Sequence, residues 1–429
     1  MKAHLKWSLK NLLKEIWVRA TLYSLLGVAT ALLALWLNDY VPDSLAGKFG
    51  SESVDKILNI LSSSMLAVTT FSLSTMIGAY SSASGGATPR ATQLLVQDAT
   101  TQNVLSSFVG SFLFSVVGII ALNMGIYGER SKVVLFIATL CVLCFVVYNL
   151  LRWINHLTKF GRLGETTSRV EKVTEAALEK HAKMPYLGAL PLSQAPVISA
   201  TAEQIYSPKA GYVQYIDMDA LGAICNQPDK YIYCLVLPGN FCLPSTVLAK
   251  TVGLSAKEQQ LVANAFALDI QRSYEQDPRF GLCALSEVAS RALSPAVNDP
   301  GTAIDVISRG TRLLAKYANE RQDRLDLPVR KNCTQIYCGQ ATVEDFFDDF
   351  FTPIARDGAA LIEVDITLQK SLRHLAETAP ALYQAVAYGH AKMVVKRANA
   401  VLLVDEDKQR LQRQLDRFEQ LVADTKHSD

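Results

Sequence analysis

The polar side chains best suited to chemistry lie in one short segment, between residues 291 and 302. They offer a guanidinium, an amide, a carboxylate and a hydroxyl close together along the chain. This combination suits a small ion or an anionic ligand, and two further carboxylates, Asp277 and Glu287, are expected nearby. The ligand-binding candidates are Arg291, Asn298, Asp299 and Thr302.

A structural interpretation of the same segment stays open. Asp299 before Pro300 is a strong helix start, because a carboxylate can accept the first free amides and proline fits the first helical position. Ser294-Pro295 ends the preceding helix, so the segment would form a rigid corner between two helices. No histidine accompanies these residues and no nucleophile–base pair is evident. We therefore predict that the chain is not an enzyme.

A second acidic cluster runs from Glu344 to Phe351 as E-D-F-F-D-D-F-F. Asp345, Asp348 and Asp349 could bind a divalent cation, yet calcium needs more converging oxygens than one helix face supplies. The phenylalanines stand at helical spacing and predict an amphipathic helix with its acids on the solvated face. The eight cysteines show neither zinc spacing nor a disulfide framework. We therefore predict no metal and no cofactor.

The elements that position these residues begin with four long uncharged stretches in the first third of the chain. Each exceeds the roughly 20 residues that an apolar helix needs to cross a bilayer. We predict spans at about 18–37, 57–80, 104–127 and 133–152. The sequence therefore predicts an integral membrane protein embedded in a lipid bilayer.

Lysine and arginine are concentrated before the first span and after the fourth, whereas the loop between the first two spans has mixed charge. This bias predicts that both termini are cytoplasmic, in a bacterial inner membrane. Residues 1–17 predict a basic amphipathic segment against anionic headgroups. Arg90 and Asp98, between the second and third spans, are membrane-interface candidates. They could form a latch, or Arg90 could simply extend to the headgroups.

One broad face of the second span carries small and hydroxylated residues, at about 100° per residue along the helix. Small residues let helices pack closely, within a protomer or between protomers, whereas hydroxyls could also line a pore. Both interpretations stay open. No charged group lies at membrane depth in any span, which argues against a proton relay or an ion-coupled transporter. The pore-lining or packing candidates are Ser63, Ser64, Thr70, Ser74, Thr75 and Gly78.

The remainder of the chain is predicted to be a cytoplasmic α+β region. Residues 154–196 read as a charged helix that continues the fourth span, followed by a linker containing prolines. Strand signals around a short helical insert predict a small β-barrel-like module at 197–252, and 253–429 is predicted to be helical. The predicted helices of that last part are 256–275, 281–293, 300–319, 342–355, 359–377, 380–399 and 405–423. The whole fold is thus four transmembrane α-helices, residues 18–153, followed by a barrel-like module and a helical domain.

Several motifs resemble a bacterial family of predicted membrane proteins, the domain of unknown function 2254. They are F-S-L-S-T-M-I-G-A-Y with T-P-R, S-P-K-A-G-Y-V-Q-Y-I-D, and the long segment from Arg279 to Ala303. The resemblance covers nearly the whole chain, and it departs from the family's pattern at Ser82-Ala-Ser-Gly-Gly. It implies the architecture described above and no settled activity.

These features favour an oligomeric channel-like pore with a cytoplasmic gating or sensing domain. The alternative, from another class, is a membrane-anchored sensor or scaffold whose cytoplasmic part binds a ligand or a partner protein. The net charge of +2 gives no case for nucleic-acid binding. The expected partners are the lipid bilayer, further copies of the chain, and a small ion or ligand.

Overall fold

The computed structural model describes residues 15–37, 51–86, 88–96, 98–196, 198, 202–322 and 329–428. Most of the predicted basic segment at 1–17 lies outside these residues. The chain divides into two compact units, one up to Thr166 and one from Thr167 onward. Each is described by itself below.

The first unit is helical, and its four long apolar helices are each able to cross a membrane. The helix α4 is central, because it packs against α1, α2 and α5. The candidate spans lie within Trp17–Trp36, Glu52–Gly86, Pro89–Asn123 and Glu129–Leu157, in agreement with the four predicted stretches. The helices are α1 (Ile16–Trp36), α2 (Ser51–Gly86), α3 (Pro89–Val96), α4 (Ala99–Asn123) and α5 (Glu129–Leu157).

The closest helix contact in this unit is between α1 and α4, at Gly27 and Gly110. A Cβ added to Gly110 would lie 2.7 Å from the carbonyl oxygen of Tyr23, and one added to Gly27 would overlap the carbonyl of Gly110. The two backbones therefore touch at a point where only glycine fits, as expected for small residues between membrane helices.

The chain does not continue as one straight helix beyond the fourth span. Residues 158–162 form a turn, with Gly161 in the left-handed region at φ 78°, before α6 (Leu163–Lys183) begins. The predicted uninterrupted helix after residue 154 is therefore wrong. Glycine permits this turn because the left-handed conformation costs it no steric clash.

The second unit contains two β-sheets rather than a closed barrel. The five-stranded sheet has the order β1-β8-β4-β6-β2, and the three-stranded sheet has the order β5-β3-β7. The strand β8 pairs in parallel with both β1 and β4, whereas β6 pairs antiparallel with β4 and β2. The strands are β1 (Leu190–Pro191), β2 (Glu203–Tyr206), β3 (Gly211–Ile216), β4 (Tyr231–Cys234), β5 (Phe241–Cys242), β6 (Val247–Val252), β7 (Phe266–Asp269) and β8 (Ile336–Cys338).

Two of these strands, β7 and β8, lie beyond residue 252, in the part of the chain that the sequence predicted to be helical. The predicted helix at 256–275 ends early: α8 covers Ala256–Asn264 and the chain then forms β7. The helical insert near 219–225 is present as α7 (Met218–Ile224). A buried apolar core joins α7, α8 and the strands. Within it, burial raises the pKa values of Cys225, Cys242 and Cys333. A hydrogen bond with Cys234, and then burial, raise the pKa of Cys338.

The six remaining helices agree closely with the sequence prediction. The predicted phenylalanine stripe of α11 is fully buried at Phe346, Phe347, Phe350 and Phe351. On α14, Leu411, Leu415 and Phe418 are buried and pack against the other helices of this unit. The helices are α9 (Pro278–Ala292), α10 (Pro300–Gln322), α11 (Val343–Asp357), α12 (Ile362–Thr378), α13 (Pro380–Val401) and α14 (Asp405–Ser428).

Candidate functional site

The hydrogen bonds at the corner between α9 and α10 are mainly between residues of the corner itself. Asp299 accepts hydrogen bonds from the Thr302 amide at 3.0 Å and from the Thr302 hydroxyl at 2.5 Å. These bonds lower the pKa of the Asp299 carboxyl, as expected for a helix cap. Asn298 takes the left-handed conformation at φ 50°, and the carbonyl of Arg291 accepts the Ser294 hydroxyl. The geometry therefore favours the structural interpretation of this corner.

Asp277 does not lie near that corner, contrary to the sequence expectation. It caps the opposite end of α9, where its side chain accepts the amide of Phe280 at 3.2 Å. At 1.5 Å of rise per residue, the 15 residues of α9 separate the two ends by roughly 20 Å. Glu287 is half-buried on the same helix.

The acids of α11 bind an arginine. Arg279 pairs with Asp349 at 2.6 Å and with Asp345 at 2.9 Å, while Asp348 lies 3.5 Å from the ring of His390. Among the residues that the structure describes, no group of three His, Cys, Asp or Glu side chains could hold a metal ion. Asp345 and Asp349 therefore serve as partners of Arg279, whereas Asp348 lies beside His390.

Arg279 also lines a cavity of about 280 Å³, the best-formed pocket of the second unit. This volume is at the small end of the range for ligand sites. Five separate segments build it: the end of α6 with the residues after it, the strand β3, the loop before β5, the approach to α9 with its first turn, and Ala341 before α11. The lining residues are His181, Pro185, Leu187, Tyr212, Leu237, Pro238, Gly239, Asn240, Phe241, Arg272, Gln276, Asp277, Pro278, Arg279 and Ala341.

A buried ion pair forms one wall of this cavity. The Asp277 carboxylate is only 1% exposed, and one of its oxygens accepts two N–H groups of Arg272, each at 2.8 Å. Burial raises the pKa of Asp277 to about 6, and Arg272 opposes that rise. Arg272 in turn lies over the Phe280 ring, 5.0 Å from its centroid. The pair is held on both sides, so breaking it would leave a buried charge without a partner.

His181 forms another wall as an uncharged side chain. Burial and the nearby Arg321 lower the pKa of His181 to about 3. Its Nδ1 lies 3.2 Å from the Tyr317 hydroxyl, and its Nε2 has no hydrogen-bond partner among the described residues. A buried polar nitrogen without a partner is unfavourable, and here that nitrogen belongs to a residue that lines a cavity.

The loop 237–241 closes the cavity with its own amides already bonded. Gly239 has φ 94°, and a Cβ there would overlap the Asp277 carboxylate, so no larger residue fits. Its amide donates to Val213 at 2.8 Å, and the amide of Asn240 donates to Leu237 at 3.0 Å. The Asn240 side chain accepts the Leu237 amide. Side chains, not loop amides, are therefore the donors available to a bound molecule.

The residues predicted for the second span lie on the outside of the first unit. Ser63, Ser64, Thr70, Ser74 and Gly78 are exposed, and Thr75 is half-buried. The packed face is the opposite one and contains Val54, Leu58, Leu61, Met65, Ser72 and Met76. The small face therefore does not pack within the protomer, and its roles as pore lining or as contact between protomers stay predictions.

Each of the two membrane-interface candidates lies at the start of a helix, Arg90 at the start of α3 and Asp98 at the start of α4. Asp98 caps α4, accepting the amide of Thr101 at 2.7 Å, and its carboxylate lies 2.9 Å from Nε2 of His156. Arg90 is exposed on α3. Asp98 thus joins the start of α4 to the end of α5.

Comparison with known proteins decides the family. The model of a family described as predicted membrane protein (DUF2254) matches residues 14–374. The chain belongs to this family. Uncharacterized proteins of Mycobacterium bovis and Mycobacterium tuberculosis are each 24% identical to it over 314 residues, which is 68% of this chain. The chain spans 59% of the length of these relatives. No solved structure matches.

For this member of the family, sequence reasoning missed the cavity. Its walls come from segments that are far apart in the chain, and only the fold brings them together. One local signal was available, because Asp277-Pro278 repeats the Asp-Pro pattern of Asp299-Pro300 and caps a helix in the same way. The sequence contained no comparable signal for His181.

Proposed function

We propose that this membrane protein assembles into an oligomer with a channel-like path lined by its second span. One observation carries the proposal: the stripe of small and hydroxylated residues on α2 is exposed on the protomer, opposite the face that packs. A helix that only served the protomer's own core would be expected to turn its small residues inward.

The stripe offers a polar path lined by hydroxyls, without an acidic or basic side chain. Ser63, Thr70 and Thr75 donate their hydroxyls to carbonyls one turn earlier, each at 2.9 Å. Their oxygens keep free lone pairs, which could replace part of a permeant ion's hydration. Because no charged side chain lies at membrane depth in the sequence, the proposal is passive conduction and not ion-coupled transport.

The proposal includes a location and an orientation. The flanking lysines and arginines support a bacterial inner membrane with both termini in the cytoplasm, where the second unit would gate or sense. It also includes a non-enzymatic role, without a cofactor and without nucleic acid as a partner.

The test compares Ser74→Leu with Thr21→Leu. Both replace an exposed hydroxyl on a span, but Thr21 lies on α1 and outside the stripe. The purified full chain is reconstituted in liposomes for ion-flux measurements, and the mass of the detergent-solubilised particle is determined in parallel. We expect a defined oligomer whose flux is lost in Ser74→Leu and retained in Thr21→Leu, with the mass unchanged. A monomer, or an oligomer without flux under varied ions, voltage and tension, would refute the pore.

A second candidate function is that of a membrane-anchored sensor, and the cavity of the second unit is the observation that favours it. A protein that only scaffolds has no need of a cavity lined by a buried ion pair and an unpartnered histidine nitrogen. Thermal shift of the full chain against a library of small metabolites tests this candidate. A library without any stabilising compound would count against it.

A further inference from the structure

We propose that the cavity beside Arg279 binds a small organic anion that carries a flat apolar ring. The inference rests on the second candidate function and deepens it by naming the class of ligand. It does not depend on whether the second span conducts ions.

The charge of the cavity favours an anion. Its charged lining residues are two arginines and one aspartate. The aspartate, Asp277, is already neutralised by Arg272 and capped by the amide of Phe280. Arg279 is itself paired with Asp345 and Asp349, so a cationic ligand would find no carboxylate in the lining that lacks an arginine partner.

Arg279 has donors left for such a ligand. A guanidinium carries five N–H groups. The contacts with Asp345 and Asp349 engage the three nitrogens of Arg279 once each. Two N–H groups therefore remain on a side chain that is 34% exposed and lines the cavity. A planar guanidinium is well matched to a carboxylate or a phosphate oxygen pair.

His181 adds a polar atom at the wall. Its ring is uncharged at neutral pH, and Nε2 lacks a partner among the described residues. If the Tyr317 hydroxyl donates to Nδ1, then Nε2 carries the proton and is a donor.

The flat ring is inferred from the aromatic pair in the cavity lining. Tyr212 and Phe241 lie edge to face, with centroids 5.1 Å apart. Phe241 is 56% exposed, so its ring is accessible to a bound molecule. Pro238 and the stem of Arg272 extend the apolar surface. A ring stacked on Phe241 could place its anionic group at the guanidinium of Arg279.

In the experiment, isothermal titration calorimetry measures the binding of matched probes to the purified full chain in detergent. Phenyl phosphate and benzoate carry the ring and an anion, benzyl alcohol only the ring, benzylamine the ring and a cation, and inorganic phosphate only the anion. We expect phenyl phosphate or benzoate to bind at least tenfold more tightly than the other three. The preferred member of that pair distinguishes a phosphate ligand from a carboxylate ligand.

Variants localise the binding. Arg279→Gln and Phe241→Ala should each weaken it at least tenfold. Arg309→Gln is the control for the first, because Arg309 also makes two carboxylate pairs, with Glu171 and Asp305, and does not line the cavity. Leu403→Ala, at an exposed apolar residue in the turn before α14, is the control for the second.

Four outcomes would overturn the proposal. Equal binding of inorganic phosphate would mean an adventitious anion only. Preferred binding of benzylamine or benzyl alcohol would refute the ligand class and leave the sensor function standing. Binding that Arg279→Gln and Phe241→Ala leave unchanged would place the ligand elsewhere, and the absence of binding by all probes would also refute the proposal.

Discussion

Replacing Asp365 by asparagine should stabilise the second unit, and more so at high pH. Asp365 lies on α12 with no exposed surface, and neither carboxylate oxygen has a hydrogen-bond partner among the described residues. Burial, with a smaller contribution from Glu363, raises the pKa of Asp365 to about 8. The side chain is therefore mostly protonated at neutral pH, and its O–H could be donated to Gln369, whose Oε1 four residues later is also unpartnered.

The direction in which stability changes with pH follows from proton binding by Asp365. The folded chain holds a proton on Asp365 up to about pH 8, whereas the ordinary carboxyl pKa is 3.8. Between these values the folded state binds more protons than the unfolded state, so stability falls as the pH rises. The pKa of Asp365 is thus about four higher in the folded chain than its ordinary value. At about 1.4 kcal/mol for each pH unit, this difference corresponds to a loss of stability of at most roughly 6 kcal/mol. Asparagine removes this loss and adds a buried amide that costs about 1–3 kcal/mol if unbonded, so we expect a net gain of at most about 3–5 kcal/mol above pH 8.

The assay should follow the second unit itself. All four tryptophans lie before residue 154, so intrinsic fluorescence would report on the wrong unit. Hydrogen exchange measured by mass spectrometry on peptides within 362–378 gives the local free energy of opening at pH 5, 7 and 9. Lys370→Gln is the control, because it removes one exposed charge from the same helix and Lys370 does not contribute to the raised pKa of Asp365. A gain for Asp365→Asn that did not grow between pH 5 and pH 9 would refute the reasoning.

Three further substitutions test the packing and capping of the helices. Gly110→Ala should lower the unfolding temperature of the first unit in detergent, at a cost of about 1–3 kcal/mol, because the new Cβ would press on the Tyr23 carbonyl; Gly78→Ala, which meets nothing within 4 Å, should not. Gly310→Ala should destabilise the second unit in chemical unfolding followed by circular dichroism, since its Cβ would overlap the Phe350 ring, whereas Gly389→Ala in open space should be neutral or stabilising by up to about 1 kcal/mol. Thr342→Ala removes one half of the capping box of α11 and should cost about 1 kcal/mol in the same assay.

Most of the helices could be predicted because each sequence pattern reflects interactions between residues that are close in the chain. The uncharged stretches gave the spans, Asp299-Pro300 gave the start of α10, and the spacing of the four phenylalanines gave the buried face of α11. In each case the physical reason lies within a few residues. The boundaries agree for the same reason.

The strands that close the sheets could not be found in this way. The strand β7 has only four residues, F-A-L-D, and its apolar start continues the pattern of α8. The strand β8 pairs with β4 about 100 residues earlier in the chain. Such pairings depend on the whole fold, and so does a cavity built from five separate segments.

The second span shows why composition alone could not orient a helix. Its small residues suggested either a packed face or the lining of a pore. The structure packs the apolar face, at Leu58, Leu61 and Met65 among others, against α4. Apolar side chains suit both lipid and protein, so hydropathy does not distinguish the two environments.

Arg279 connects the proposed ligand to the helical core of the second unit. It stands in the first turn of α9, faces the cavity, and holds the two acids Asp345 and Asp349 on α11. An anion at this guanidinium would share its positive charge with both carboxylates and so weaken their attraction. Because the opposite face of α11 is filled by buried phenylalanines, that helix can respond only by shifting as a packed body. A ligand that binds two arrangements of α11 unequally would thereby change their populations, which is the physical requirement for a sensor.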